Sequence, residues 1–127
     1  MSGQGPYFGQ LAWFLYYHPE RVQTAIDRYA NEIKRLTGVI DAHLTKQGTS
    51  YLVGDRVTYA DVMLVPYYLS TSHLFTDLVD LSQWPAFSAW FARLLERPAI
   101  ARVAARMKTE IITAARAREE AAAAKKN

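Results

Sequence analysis

Residues 51–69, YLVGDRVTYADVMLVPYYL, decide the fold. Gly54 and Asp55 mark a turn, and Val57, Thr58, Tyr59, Ala60, Asp61 and Val62 then compose a helix-start signal. Thr58 at an N-cap accepts a backbone N–H, Asp61 three positions on reaches back, and Val57 packs on Val62 as a hydrophobic staple. Asp is less usual than Glu in that reciprocal place, but its charge also complements the helix dipole. The helix that follows is apolar on almost every side, so the spacing predicts a central helix buried by others packed around it. Pro66 inside it cannot donate to the Val62 carbonyl, which predicts a bend between the two.

Upstream, Val22, Ile26, Tyr29, Ile33, Leu36, Ile40 and Leu44 recur in steps of four and three. They form one seam of a long amphipathic helix, opened by Pro19 in its first turn and ended by Gln47 to Ser50. Run from Pro19 to Lys46, it would span about 42 Å. Arg28, Glu32 and Arg35 pair on its solvated face. Gly38 sits inside the seam, where close helix packing is the reason to keep it.

The opening SGQGPYFGQLAWFLYYH begins with Gly3, Gly5 and Pro6, which resist regular helix, and becomes helical and strongly aromatic from Tyr7 to Tyr17. That aromatic surface has two readings. One is core packing plus a subunit interface; the other is a hydrophobic pocket with polar handles from tyrosines and Gln10.

Downstream, Asp77 and Asp80 have no nearby residue to complete a catalytic arrangement and read as capping or surface groups, as does His73. Pro85 opens a helix whose broad apolar face is Phe87, Trp90, Phe91, Leu94 and Leu95. Pro98 ends it and opens the next, with Ile100, Val103, Met107 and Ile111 at helical spacing. From residue 113 to 127 alanines favour helix, but few large apolar side chains remain to bury, so this basic tail is expected to fray. The expectation is one helical domain over residues 1–112 followed by the tail.

Composition narrows the function classes. Half of the 127 residues are hydrophobic, enough for one core without staples. There is no cysteine, hence no disulfide, thiolate ligand or cysteine nucleophile. His18, His43 and His73 lie too far apart in sequence to suggest a metal site. No run of about 20 apolar residues or secretion signal is present, so a cytoplasmic protein without membrane contact is expected. The net charge of +3 is mostly in the tail: residues 1–107 hold ten Lys or Arg against nine Asp or Glu, and residues 108–127 five against three. No basic stripe interleaved with aromatics is evident, so no nucleic-acid partner is expected.

The combination of LVGDRVTYADVMLVP, a long amphipathic helix before it, and WPAFSAWFARLLERPAI after it resembles the C-terminal all-α helical domain of glutathione S-transferases. SGQGPYFGQ and RYANEIKRLTGVID are similar, more narrowly, to the fungal group related to the yeast nitrogen regulator with a transferase fold. The resemblance covers Ser2 to about Met107. It implies structural capping roles for Thr58 and Asp61. It also implies that the first helix walls a site for a small hydrophobic or electrophilic molecule, with Tyr7, Phe8, Gln10, Phe14 and Tyr17 as lining residues. Tyr7 and Tyr17 are the nearest in kind to hydroxyl donors, yet no catalytic residue is assigned.

In the family, glutathione is held by an N-terminal thioredoxin-like domain whose segments are not among these residues. The chain is therefore expected to lack its own glutathione site, the missing part being lost, encoded separately, or omitted by a start at an internal methionine. Glutathione is a possible cosubstrate through a complementing protein partner, the other course being a repurposed pocket that acts without it, and a homodimer is expected through the first two helices. The alternative is a noncatalytic helical interaction module.

Overall fold

Asp61 begins as a helix-start residue and ends as the joint of three segments. In the computed structural model, which describes residues 3–126, its side chain is fully buried. One carboxylate oxygen accepts the Thr58 N–H at 2.9 Å and the Thr58 hydroxyl at 3.3 Å, the reciprocal half of a capping box. The other accepts the Leu52 N–H at 2.9 Å and the Trp90 indole N–H at 2.8 Å. A residue predicted to cap one turn thereby ties a loop, a helix start and a distant helix together.

Among the described residues six helices form: α1 Gln4–Tyr16, α2 Gln23–Gln47, α3 Tyr59–Val62, α4 Val65–Leu74, α5 Pro85–Leu95 and α6 Pro98–Lys126, with a 3₁₀ turn at Leu81–Gln83. Among the described residues no strand forms beyond an isolated bridge, Tyr51 to Gly54, that closes the turn before α3. Gly54 takes φ +77° there, a conformation other residues rarely adopt. The expected bend at Pro66 is a full break: α3 is one turn, and α4 restarts with Pro66 in its first turn, where no N–H is needed.

Two sequence expectations shift at helix starts. Pro19 lies outside α2, because the His18 ring donates from Nδ1 to the Glu20 carbonyl at 2.8 Å and holds a turn, so α2 begins at Gln23 and spans about 37 Å. Conversely Gly5 and Pro6 lie within α1, since its first turn has no intrahelical use for a proline N–H. Gly48, at φ +63°, ends α2 and donates to the Leu44 carbonyl at 3.0 Å. Glu32 and Arg35 pair on the exposed face at 2.9 Å.

The core lies between α2, α4 and α5, with α1 laid against α2 and α4, and α6 against α4 and α5. Ile26, Ile33, Ile40 and Leu44 deliver the predicted seam, joined by Ala30 and Thr37. At Gly38 a Cβ would sit 3.4 Å from the Trp84 indole nitrogen, which is the close packing that position anticipates. The first turn of α5 is capped from α2: the Phe87 N–H donates to Asp41 at 2.9 Å across 46 residues. Arg93 of α5 grips the Ser50 carbonyl at 2.9 Å.

Tyr68 of α4 is fully buried, edge-on to Phe8 at 5.4 Å and tilted on Phe87 at 4.5 Å. Thr37 donates its proton to the Ile33 carbonyl at 2.8 Å, so the Tyr68 hydroxyl is the donor in its 3.1 Å bond to Thr37. Burial pushes the phenol up to about 12, against a small opposing effect of Thr37. An unfolded tyrosine loses its proton near pH 10, so the unfolded state binds fewer protons than the folded state above that pH. The stability held below pH 10 is therefore lost as pH rises toward 12, by roughly 2 kcal/mol in all. Tyr68→Phe should flatten this alkaline limb in urea melts; an unchanged slope would contradict it.

α6 continues as helix through the alanine-rich stretch to Lys126, with no break at residue 113 and no buried residue. Ile100, Ala104, Met107, Ile111 and Ala115 form its half-buried stripe, whereas Val103 is exposed.

Candidate functional site

The small residues of α1 make room that its aromatic residues do not. Gly5, Gly9 and Ala12 fall on one stripe, at i, i+4 and i+7. Opposite them α4 presents Tyr67, Ser70 and Leu74, and between the two helices lies a cavity of about 290 Å³. Phe8 and Phe75 complete its lining. A Cβ at Gly9 would meet nothing within 4 Å, so this position is open space rather than close packing. The lining is mostly apolar, and the Ser70 hydroxyl is already donated to the Pro66 carbonyl at 3.1 Å. Such a cavity suits a compact apolar group.

Of the five residues expected to line a site, Phe8 is buried and walls this cavity. The other four occupy a different stripe of α1. Tyr7 and Phe14 pack on Tyr29 of α2, with ring centroids 6.2 Å and 5.9 Å away, and Phe14 also covers His18 at 5.2 Å. Gln10 is exposed. Tyr17 stacks on Trp13 at 5.9 Å, and its hydroxyl accepts from Arg118 of α6 at 2.6 Å. The helical period explains the division: 7, 10, 14 and 17 follow one face, and 5, 9 and 12 another.

Sequence reasoning missed Tyr16. Its hydroxyl donates to the Leu74 carbonyl at 2.8 Å, tying the end of α1 to the end of α4. Partial burial pushes the phenol upward; the Arg118 cation pulls it partly back, and Asp77 adds to the rise. A second hollow, about 230 Å³, lies between α4 and α6 and is bounded by Val62, Pro66, Leu69, Ile100, Val103 and Met107, all apolar. Among the described residues no cluster of His, Asp or Glu could hold a metal ion. None of the described helices is long and apolar enough to cross a membrane.

The family model described as Glutathione S-transferase, C-terminal domain, matches residues 6–98. The glutathione S-transferase-like protein OpS6 of Beauveria bassiana is 40% identical over 106 residues, which cover 83% of this chain and 49% of that protein. Glutathione S-transferase 2 of Schizosaccharomyces pombe is 37% identical over 110 residues, covering 78% and 47%. The glutathione transferase URE2P6 of Phanerochaete chrysosporium, solved with oxidized glutathione, superposes with a TM-score of 0.73 at 43% identity, covering 87% of this chain and 49% of that one. Ure2p5 of the same fungus, cocrystallized with 1-(S-glutathionyl)-2,4-dinitrobenzene, gives a TM-score of 0.75 at 37% identity, covering 88% and 52%. The chain thus spans about half the length of the relatives it matches.

Proposed function

The chain belongs to the glutathione S-transferase family through its C-terminal helical domain, and from that premise we propose that the α1–α4 cavity is the apolar half of a transferase-type site. It takes a small hydrophobic or electrophilic molecule. The observation that carries this is the room left by Gly5, Gly9 and Ala12 against Tyr67 and Leu74. Glutathione is the expected cosubstrate, but the residues here do not fit it. A tripeptide with two carboxylates and an ammonium needs several charged or polar partners, whereas this lining offers the Tyr67 and Ser70 hydroxyls and no charged group, and the Ser70 proton is already donated to the Pro66 carbonyl. The thiol is therefore held outside these 127 residues, by a partner or by further chain. Relatives solved with glutathione or its conjugates support glutathione as the cosubstrate.

A second reading is a noncatalytic interaction module. Trp13, Tyr17 and Val39 are about half exposed on α1 and α2, and such aromatic surface suits a protein partner or a second copy. The two readings separate on Gly9. Gly9→Leu adds a side chain into open cavity and removes a helix-weakening glycine, so its melting temperature should hold or rise. Binding of the uncharged fluorophore N-phenylnaphthylamine should weaken about tenfold. Saturable binding that Gly9→Leu leaves untouched would place the ligand elsewhere and favour the module. Titration of the same chain with reduced glutathione should give no saturable heat.

A further inference from the structure

Two further hollows border the α1–α4 cavity. A chamber of about 200 Å³ shares Leu74 and Phe75 with it and adds Tyr16, Arg21 and Asp77. A third, about 290 Å³, shares Tyr16 and Leu74 with the second. It is bounded by His73 of α4 and by Ala115, Arg118 and Glu119 of α6. Shared lining residues place the three hollows side by side, apolar where Gly9 and Phe8 lie and charged where α6 borders the last.

We propose that Arg118 is an anion subsite of this group of hollows, so that its ligand is an amphipathic small molecule with an apolar body against Phe8 and Gly9 and a carboxylate or sulfonate head on the guanidinium. The assignment rests on the cavity reading above and adds the chemical class of the ligand.

Arg118 is held in place before any ligand arrives. Its Nη2 donates to the Tyr17 hydroxyl at 2.6 Å, and its guanidinium carbon lies 4.9 Å from the Tyr17 ring centroid and 5.4 Å from that of Tyr16. A planar cation fixed by two aromatic neighbours gives up little freedom when it meets an acidic group. Ion pairs among the described residues join Glu32 to Arg35 and Arg106 to Glu110; Arg118 is in neither. Most of its five N–H donors are therefore uncommitted to a carboxylate. Tyr16 does not compete for the head group, because its hydroxyl proton goes to the Leu74 carbonyl.

Other charges face the same chambers. Arg21 adds to the attraction and Asp77 opposes it, with His73 alongside. Glu119 also opposes an anion, but it is exposed and free to turn outward. This makes Glu119 a useful counter-test, since removing its charge should act in the opposite direction to removing Arg118.

Two naphthalene probes of similar body and different charge separate these effects: anionic anilinonaphthalenesulfonate and uncharged N-phenylnaphthylamine, titrated against the full chain by fluorescence. Arg118→Met keeps an unbranched apolar stem over the tyrosine rings and removes the charge. It should weaken the anionic probe about tenfold and the uncharged probe less than about twofold, with helical circular dichroism unchanged. Glu119→Gln should tighten the anionic probe about twofold. Equal losses for both probes in Arg118→Met would overturn the subsite, as they would report displaced packing of α6. An anionic probe indifferent to Arg118 would overturn it too. If the uncharged probe fails to bind the unaltered chain, the cavity reading itself fails and the subsite falls with it.

Discussion

Replacing Asp61 with alanine is expected to cost about 4 kcal/mol, because four donors, three of them N–H groups, would lose their acceptor at once. The backbone N–H groups of Leu52 and Thr58 and the indole N–H of Trp90 all point at this carboxylate. Trp90 is fully buried and every buried side-chain polar atom among the described residues has a partner, so no alternative acceptor stands ready. Asp61→Asn should be nearly as damaging. An amide has one acceptor oxygen, and either orientation sets its NH₂ against an N–H. Urea denaturation followed by tryptophan fluorescence would measure both. In a Trp90→Phe background the asparagine should cost about 1 kcal/mol less, since one opposed donor has gone. A loss below about 1 kcal/mol for Asp61→Ala would show that the carboxylate is not the joint described.

Phe87→Ala is expected to cost about 4 kcal/mol through the cavity it leaves. The ring is fully buried, 4.5 Å from Tyr68, 5.4 Å from Trp90 and 5.8 Å from Phe91, so none of its neighbours is at a surface from which it could collapse inward cheaply. Phe87→Leu retains most of the volume and should cost about 1.5 kcal/mol. Against a typical total of about 5–15 kcal/mol, the alanine variant consumes a large part of the stability. Combined with Asp61→Ala it should not add simply, because both changes loosen Trp90. Equal melting of the alanine and leucine variants would show that the site refills.

The elements that local chemistry determines were legible in the chain. The turn at Gly54, the cap at Thr58 and Asp61, the seam of α2 and the proline start of α5 each depend on residues within one or two turns of each other. What was not legible depends on distant partners. Nothing near Asp41 announces that it caps α5, nor does anything near Asp61 announce the indole of Trp90. The candidate site followed the same division. Aromatic residues drew attention to Tyr7, Gln10, Phe14 and Tyr17, but a cavity is made by what is missing, and Gly5, Gly9 and Ala12 carry that signal in their spacing. Tyr16 takes its interest from the Leu74 carbonyl, 58 positions away, and from the Arg118 guanidinium over its ring.

The cap that Asp41 places on Phe87 gives one amide proton an unusual reporting value. An N–H in a helix's first turn normally exchanges with solvent whenever that end frays, at little cost. Here the acceptor belongs to another helix, and the side chain of the same residue is fully buried. Deuterium reaches the Phe87 amide only when α2 and α5 part. Its exchange rate therefore counts separations of the two helices.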